Sequence, residues 1–385
     1  MSLQQHFEKL AVEIGARPLG SEANLRAAAY AAETLAGLGW TVEKQAFDCM
    51  RWRNDGARLA VDGAPVNAQP APYAAPCEVA GELVVLDTPE ALHTAELRGK
   101  IALLRGSLAE NALSPKDNPF WYPDEDRAVI ERLESAGLLA LLTAGLPGGD
   151  APLIDDGGFA VPCATLARAD ADKLRSGQTV ALTIDATRGK ASAYNVLARL
   201  GGDGKRVCVS AHIDTKAFTP GALDNASGTA VVLALAEALQ GVALPFAVEL
   251  AIFNGEDYYN NVGETTYMRQ SLTDPARYLW AANVDGVGMP DCDTTVALFD
   301  CPEALAKAAR ELPATGWREI EPWPQGDHTL YAMHGIPALA LTSANIFGAP
   351  LHTPEDSPAH VSLAKMEETA RYLQNLILKS AALYR

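Results

Sequence analysis

Residues 246–257, FAVELAIFNGED, carry an apolar run that stops at two adjacent carboxylates, Glu256 and Asp257. Seven apolar, β-compatible residues among the eight of 246–253, followed within three residues by paired charge, predict a strand buried on both faces and ending at a polar edge. Neighbouring segments repeat this pattern. RVCVSAHID (206–214) runs from an apolar stretch to His212 and Asp214, YLWAANVDGVG (278–288) to Asp285, and IPALALTS (336–343) through a short loop to His352. Between the first two lies GTAVVLALAEALQG (228–241), a nearly all-apolar helix, and SLAKMEETARYLQNLILKSA (362–381) reads as an amphipathic one. Apolar strands alternating with helices predict an α/β fold, a mostly parallel twisted sheet flanked by helices on both faces.

The N-terminal segment belongs to the same texture. SEANLRAAAYAAETLAGLGW (21–40) offers Ser21 as a helix N-cap and Gly37 and Gly39 as a stop, and TVEKQAF (41–47) alternates like a strand. From about residue 52 the composition becomes Pro/Ala-rich, with short strand candidates such as GELVVLD and KIALLRG and a helix candidate, DRAVIERLESAG, that precedes LLALLTAG; ADADKLRSGQTVALTID closes the region. This region contains one histidine, His93, and no clustered ligand set. The expected organisation is one domain formed by 1–51 and 190–385, with a smaller β-rich domain, 52–189, inserted in it. Within the insert, Phe120, Trp121 and Tyr122 in NPFWYPDED either wall a pocket, support an oligomer or pack under a loop.

Bulk properties narrow the function classes. The 385 residues carry a net charge of -17, which opposes nucleic-acid backbones and anionic lipid. No segment approaches the roughly 20 continuous apolar residues of a membrane helix, and the first residues lack a basic region followed by an apolar run. The expectation is a cytoplasmic protein without nucleic-acid or membrane partners; a homodimer is compatible with the sequence. The six cysteines are scattered without C-x-x-C spacing and read as free thiols.

Each polar residue named in the opening pattern follows the C-terminal end of a predicted strand, the edge at which open α/β sheets place ligand sites. Asp224, in GALDNASG, precedes the all-apolar helix. Alone, each has an ordinary explanation: a surface histidine, a helix-capping aspartate, a solvated strand end. Together, His212, Asp224, Asp257, Asp285 and His352 make a donor set suited to a divalent ion, zinc first, with manganese or cobalt as alternatives. Five ligands exceed the needs of one ion; two ions roughly 3.5–4 Å apart, sharing one carboxylate, would use them all. Glu256 is left over, placed to accept a proton from an activated water.

The motifs AHIDTKAFTPGALDNASG, FNGED, NVDGVG, GDHTLYAMHGIPAL and LHTPEDS, in this order and spacing, resemble the co-catalytic zinc aminopeptidase family, which also contains glutamate carboxypeptidases and glutaminyl cyclases. The likeness covers 190–385 and extends to RPLGSEANLRAAAYAAETLAGLGWTVEKQAF; the insert is similar to a protease-associated domain, the expected lid or substrate selector. The resemblance implies that two zinc ions are bound, one by His212 and Asp285, the other by Asp257 and His352, with Asp224 bridging. It implies Glu256 as general base, Asp214 as the residue orienting His212, a cis peptide at Asp224–Asn225, and His328 either as an oxyanion donor or as a structural histidine. It departs at Asp257, where relatives mostly have glutamate, and at Tyr258, Tyr259, Asn260 and Asn261. The implied reaction is removal of the N-terminal residue of a peptide. Alternatives are another amide hydrolase on the same centre (a carboxypeptidase or deacylase), a single-zinc glutaminyl cyclase, or a binding module whose catalysis has decayed.

Overall fold

The computed structural model describes residues 2–384 apart from 117, 203 and 313–315. The chain divides into two compact units, Met1–Cys49 with Ser192–Arg385, and Met50–Ala191. Two long strands, Thr41–Val61 and β1 (Thr179–Leu200), carry the chain across the boundary.

The larger unit is built on the C-terminal part of β1 and on β2 (Arg206–His212), β3 (Ala247–Phe253), β4 (Tyr278–Val284), β5 (Thr294–Phe299), β6 (Trp317–Ile320) and β7 (Ala338–Ser343). Their order is β6-β5-β7-β4-β2-β3-β1. The central four are parallel: Phe253 registers with His212, Asn283 with Ser210, and Val284 with Leu341. That register brings the polar residues following β2, β3 and β4 to one edge. β1 runs antiparallel beside β3, with Leu200 opposite Val248, so β3 lies between two strands that are consecutive in sequence, joined through residues 201–205. Asp203, within that connection, is outside the described residues.

Helix α1 (Glu22–Gly37) starts where Ser21 Oγ accepts the Asn24 N–H. Gly39 follows it at φ 85°, a left-handed conformation that favours glycine. Helix α2 (Ser227–Ala238) packs on β2, β3 and β4, and α3 (Leu363–Leu383) packs on α2. At the start of α2 the chain comes so close to β4 that a Cβ on Gly228 would lie 2.2 Å from the Val284 carbonyl oxygen.

The two sheet faces differ chemically. Val207, Val209 and Ala211 of β2 belong to the apolar core that contains α2, whereas the alternate residue Cys208 meets the Tyr267 and Tyr331 hydroxyls. On that second face Glu249, in the middle of β3, is fully buried. Arg206 Nη1 and Arg199 Nε each lie 2.7 Å from its Oε2, and the Tyr267 and Tyr278 hydroxyls donate to its Oε1 at 2.6 and 3.2 Å. The strand is therefore not apolar throughout. A buried carboxylate persists there because every lone pair has a donor.

The smaller unit has a parallel ladder, Cys77–Leu86, Ile101–Leu104, Ala140–Ala144 and Cys163–Leu166, with its own core around Leu83, Ile101, Leu103, Leu133 and Leu142. Trp121 is 66% exposed and Arg127 lies over the Tyr122 ring. All six cysteines are free, and among the described residues no helix is long and apolar enough to cross a membrane. Removing the Glu249 carboxylate would strand the buried Arg206 guanidinium, so Glu249→Ala should lower the unfolding free energy by roughly 3–5 kcal/mol in urea titrations. A loss below about 1 kcal/mol would mean that the network is not holding this face.

Candidate metal centre

His212 is the last residue of β2, Glu256 and Asp257 follow β3 after Asn254 and Gly255, and Asp285 follows β4, its N–H still bonded to the Leu341 carbonyl. The loop after β7 delivers His352 with φ 59°. Asp224 sits in the turn before α2, and the peptide joining it to Asn225 is cis, as the resemblance implies. The Asn225 side chain ties this turn to β4 and α2, donating to the Val284 carbonyl at 2.9 Å and accepting the Gly228 N–H at 2.9 Å.

The donors fall into two groups that share Asp224. Asp224 Oδ1 lies 3.0 Å from His212 Nε2, which is 3.5 Å from Asp285 Oδ1. Asp224 Oδ2 lies 2.9 Å from His352 Nε2, which is 3.2 Å from Asp257 Oδ1. Glu256 stands beside the first group, with Oε2 3.9 Å from His212 Nε2. His212, Asp224 and Asp257 by themselves offer ligand atoms mutually within 4.8 Å.

The arrangement around the His212 ring is not one of hydrogen bonds. Among the described residues, neither nitrogen of the fully buried His212 ring has a hydrogen-bond partner, although Nε2 lies 3.0 Å from a carboxylate oxygen. Zinc held at about 2.0–2.2 Å by tetrahedral ligands puts neighbouring ligand atoms about 3.3–3.6 Å apart, close to the spacings in both groups. Imidazole nitrogens and carboxylate oxygens are also the donor types that borderline divalent ions take. The residues therefore fit a pair of ions.

Charge points the same way. Burial pushes the Glu256 carboxyl well above its usual range, opposed by His212 and reinforced by Asp257, Asp285 and Asp224. Burial works against the His212 imidazolium, but Asp285 and Glu256, with Asp214 and Asp224, outweigh it and raise the ring well above its ordinary value. Such a surplus of carboxylates is relieved by bound cations.

Two other sequence candidates stand differently. Asp214 Oδ1 is 3.8 Å from His212 Nδ1, beyond hydrogen-bond range, and instead accepts the Gly255 N–H at 2.7 Å, joining the ends of β2 and β3. His328 is buried between Phe299 and Trp323, with ring centroids 4.7 and 4.8 Å away, and its Nε2 lies 2.9 Å from the Trp323 carbonyl oxygen. Burial lowers its pKa to about 4, so the ring is neutral, and Nε2 donates to that carbonyl.

Sequence reasoning passed over Asp356, although it lies in the quoted LHTPEDS. This fully buried carboxylate accepts the N–H groups of Leu223 and Asp224 at 2.8 and 3.1 Å, and its carbonyl accepts that of Ala222 at 3.3 Å. Burial raises it to about 6, against the pull of those two amides. The only sequence signal was an acid four residues after a candidate ligand, which does not separate a clamp from a surface charge. Asp257 is held similarly: Oδ2 accepts the Lys216 N–H at 3.0 Å, leaving Oδ1 for His352. Asp356→Ala should abolish hydrogen-exchange protection at the Leu223 and Asp224 amides and destabilise the protein by about 2–3 kcal/mol; unchanged protection would remove the clamp.

The chain also resembles known proteins. Residues 195–377 match the family model described as Peptidase family M28. Aminopeptidase YwaD of Bacillus subtilis (strain 168) is 25% identical over 397 residues, covering 94% of this chain and 80% of the relative. In fold, the chain resembles BSAP, a zinc aminopeptidase from Bacillus subtilis, with TM-score 0.79 and 21% identity over 98% of this chain and 94% of that one. It also resembles an aminopeptidase from Aneurinibacillus sp. strain AM-1, with TM-score 0.77 and 21% identity over 98% and 93%. The match to this family over residues 195–377 and the likeness to an aminopeptidase along most of the chain support a zinc metallopeptidase.

Proposed function

We propose that the protein is a two-zinc aminopeptidase that removes the N-terminal residue of peptides. The observation that supports this most directly is the division of Asp224, with one oxygen toward His212 and Asp285 and the other toward His352 and Asp257. In this reading the first pair would hold one ion and the second pair the other, with Asp224 contributing an oxygen to each. The catalytic domain is the unit that contains these residues, and the 50–191 unit is an inserted protease-associated-like domain. The aminopeptidase activity of the similar Bacillus proteins supports the choice of peptide N-termini as substrate.

When bound, the ions supply polarisation of the scissile carbonyl and lower the pKa of water. Glu256 does the proton work: its carboxylate stands at the edge of the donor set, with Oε2 3.9 Å from His212 Nε2. It takes a proton from the attacking water and delivers it to the leaving amine. Asp214 fixes the spacing of β2 and β3 through Gly255, so that Glu256 keeps its reach to the His212 group. His328 enters as the structural alternative, because its donor nitrogen is committed to Trp323.

Glu256→Gln should keep both ions, counted by elemental analysis, and lose turnover by about 10²–10⁴-fold; hydrolysis at the wild-type rate would sink the assignment. Aminoacyl amides with free and acetylated amines separate an aminopeptidase, which prefers the free amine, from a deacylase, which does not. The His352 side chain is 46% exposed and Asp257 is a short ligand, whereas His212 is fully buried. Chelator titration should therefore release the two ions in sequence, the His352 ion first. Release in a single step would contradict unequal sites.

A further inference from the structure

Arg17, in the GARPLGS stretch far from every motif of the centre, is fully buried. Its donors go to carbonyl oxygens: Nε to Ile213 at 2.6 Å, Nη1 to Pro220 at 2.8 Å and Gly15 at 3.1 Å, and Nη2 to Gly221 at 3.0 Å. Its own N–H donates to Thr215 Oγ1 at 3.0 Å. The guanidinium thus ties together both ends of the irregular segment 213–221, which lies between His212 and Asp224. A buried segment without regular structure has backbone groups that need partners, and one planar fork supplies several of them at fixed angles.

The segment is closed tightly at the point Arg17 holds. Gly221 has φ 57°, and a Cβ there would lie 2.3 Å from Thr215 Cγ2 and 2.5 Å from the Asp224 carbonyl oxygen. On its other side Asp356 takes the N–H groups of residues 222–224. A cation therefore holds the carbonyls and an anion the amides of the turn that presents Asp224. Burial pulls the Arg17 pKa down to about 10, with Asp214, Asp224, Asp257 and Asp356 opposing, so it stays charged at neutral pH. A neutral donor in its place could satisfy carbonyls but could not offset those carboxylates.

We propose that Arg17 is a positioning residue for the metal centre: by clamping the segment between His212 and Asp224 it sets the spacing of the two donor groups, and with it their affinity for divalent ions. This rests on the two-ion reading above. Arg17→Lys keeps the charge but loses the planar fork, and Arg17→Gln keeps part of the hydrogen bonding but loses the charge. Competition with a chromophoric chelator would measure zinc affinity for wild type and both variants, and cobalt(II) absorption would report ligand geometry. Urea unfolding of the metal-free proteins would report stability separately.

Both variants should bind zinc about 10–100-fold more weakly, the range typical of residues that support ligands from behind, with an altered cobalt spectrum. At saturating zinc, kcat should fall while KM stays within about twofold, as expected when ligand geometry rather than substrate binding is disturbed. If Arg17→Gln loses its fold, Arg17→Lys carries the comparison. Variants that bind zinc as tightly as wild type with an unchanged cobalt spectrum would overturn the inference, whatever their stability. A wild type that takes up no zinc would instead refute the two-ion reading, so the two failures are distinguishable.

Discussion

Carboxylates brought within a few ångströms of one another and of two imidazoles repel in proportion to the water excluded around them. At this sheet edge Asp224, Asp257, Asp285 and Glu256 are crowded in that way. The rest of the larger unit is arranged to tolerate the crowding. Parallel register carries the three strand ends to the same level, and the turn before α2 closes the remaining side. Cations resolve the repulsion, which is why the donor set and its electrostatics lead to the same chemistry.

Rigidity at such an edge cannot come from the loops alone. Ligand-bearing loops lack the hydrogen-bond ladder of strands, so their backbone groups are satisfied by side chains from elsewhere. Asp356 holds amides, Arg17 holds carbonyls, Asp214 joins β2 to β3, and Asn225 joins the Asp224 turn to β4. These residues form the frame on which Asp224 can present one oxygen to each donor group.

The second sheet face follows the same logic. Glu249, Arg206, Arg199, Tyr267 and Tyr278 form a buried polar network where an apolar strand would be simpler. It survives because both carboxylate oxygens of Glu249 have donors, a condition met only when residues from four strands and a helix coincide. The apolar flanks of β3 hid this in the sequence, since one acid in a hydrophobic run does not show whether its donors are present.

Local periodicity and composition were sufficient for the α/β character, for the helix that begins after Ser21, and for the placing of acids and histidines after apolar strands. These depend on neighbours within a few residues. The cis peptide was legible only through resemblance to a known family. Other features were decided by the tertiary structure. One is that β3 lies between β1 and β2; another is that His328 spends its donor on Trp323; a third is that Asp356 takes the Asp224 amide while Arg17 takes the carbonyls of the segment before it. Arg17 reaches Pro220 across 203 residues of sequence and Asp356 reaches Asp224 across 132. Such contacts depend on which backbone groups burial leaves without partners, and only the folded chain reveals those.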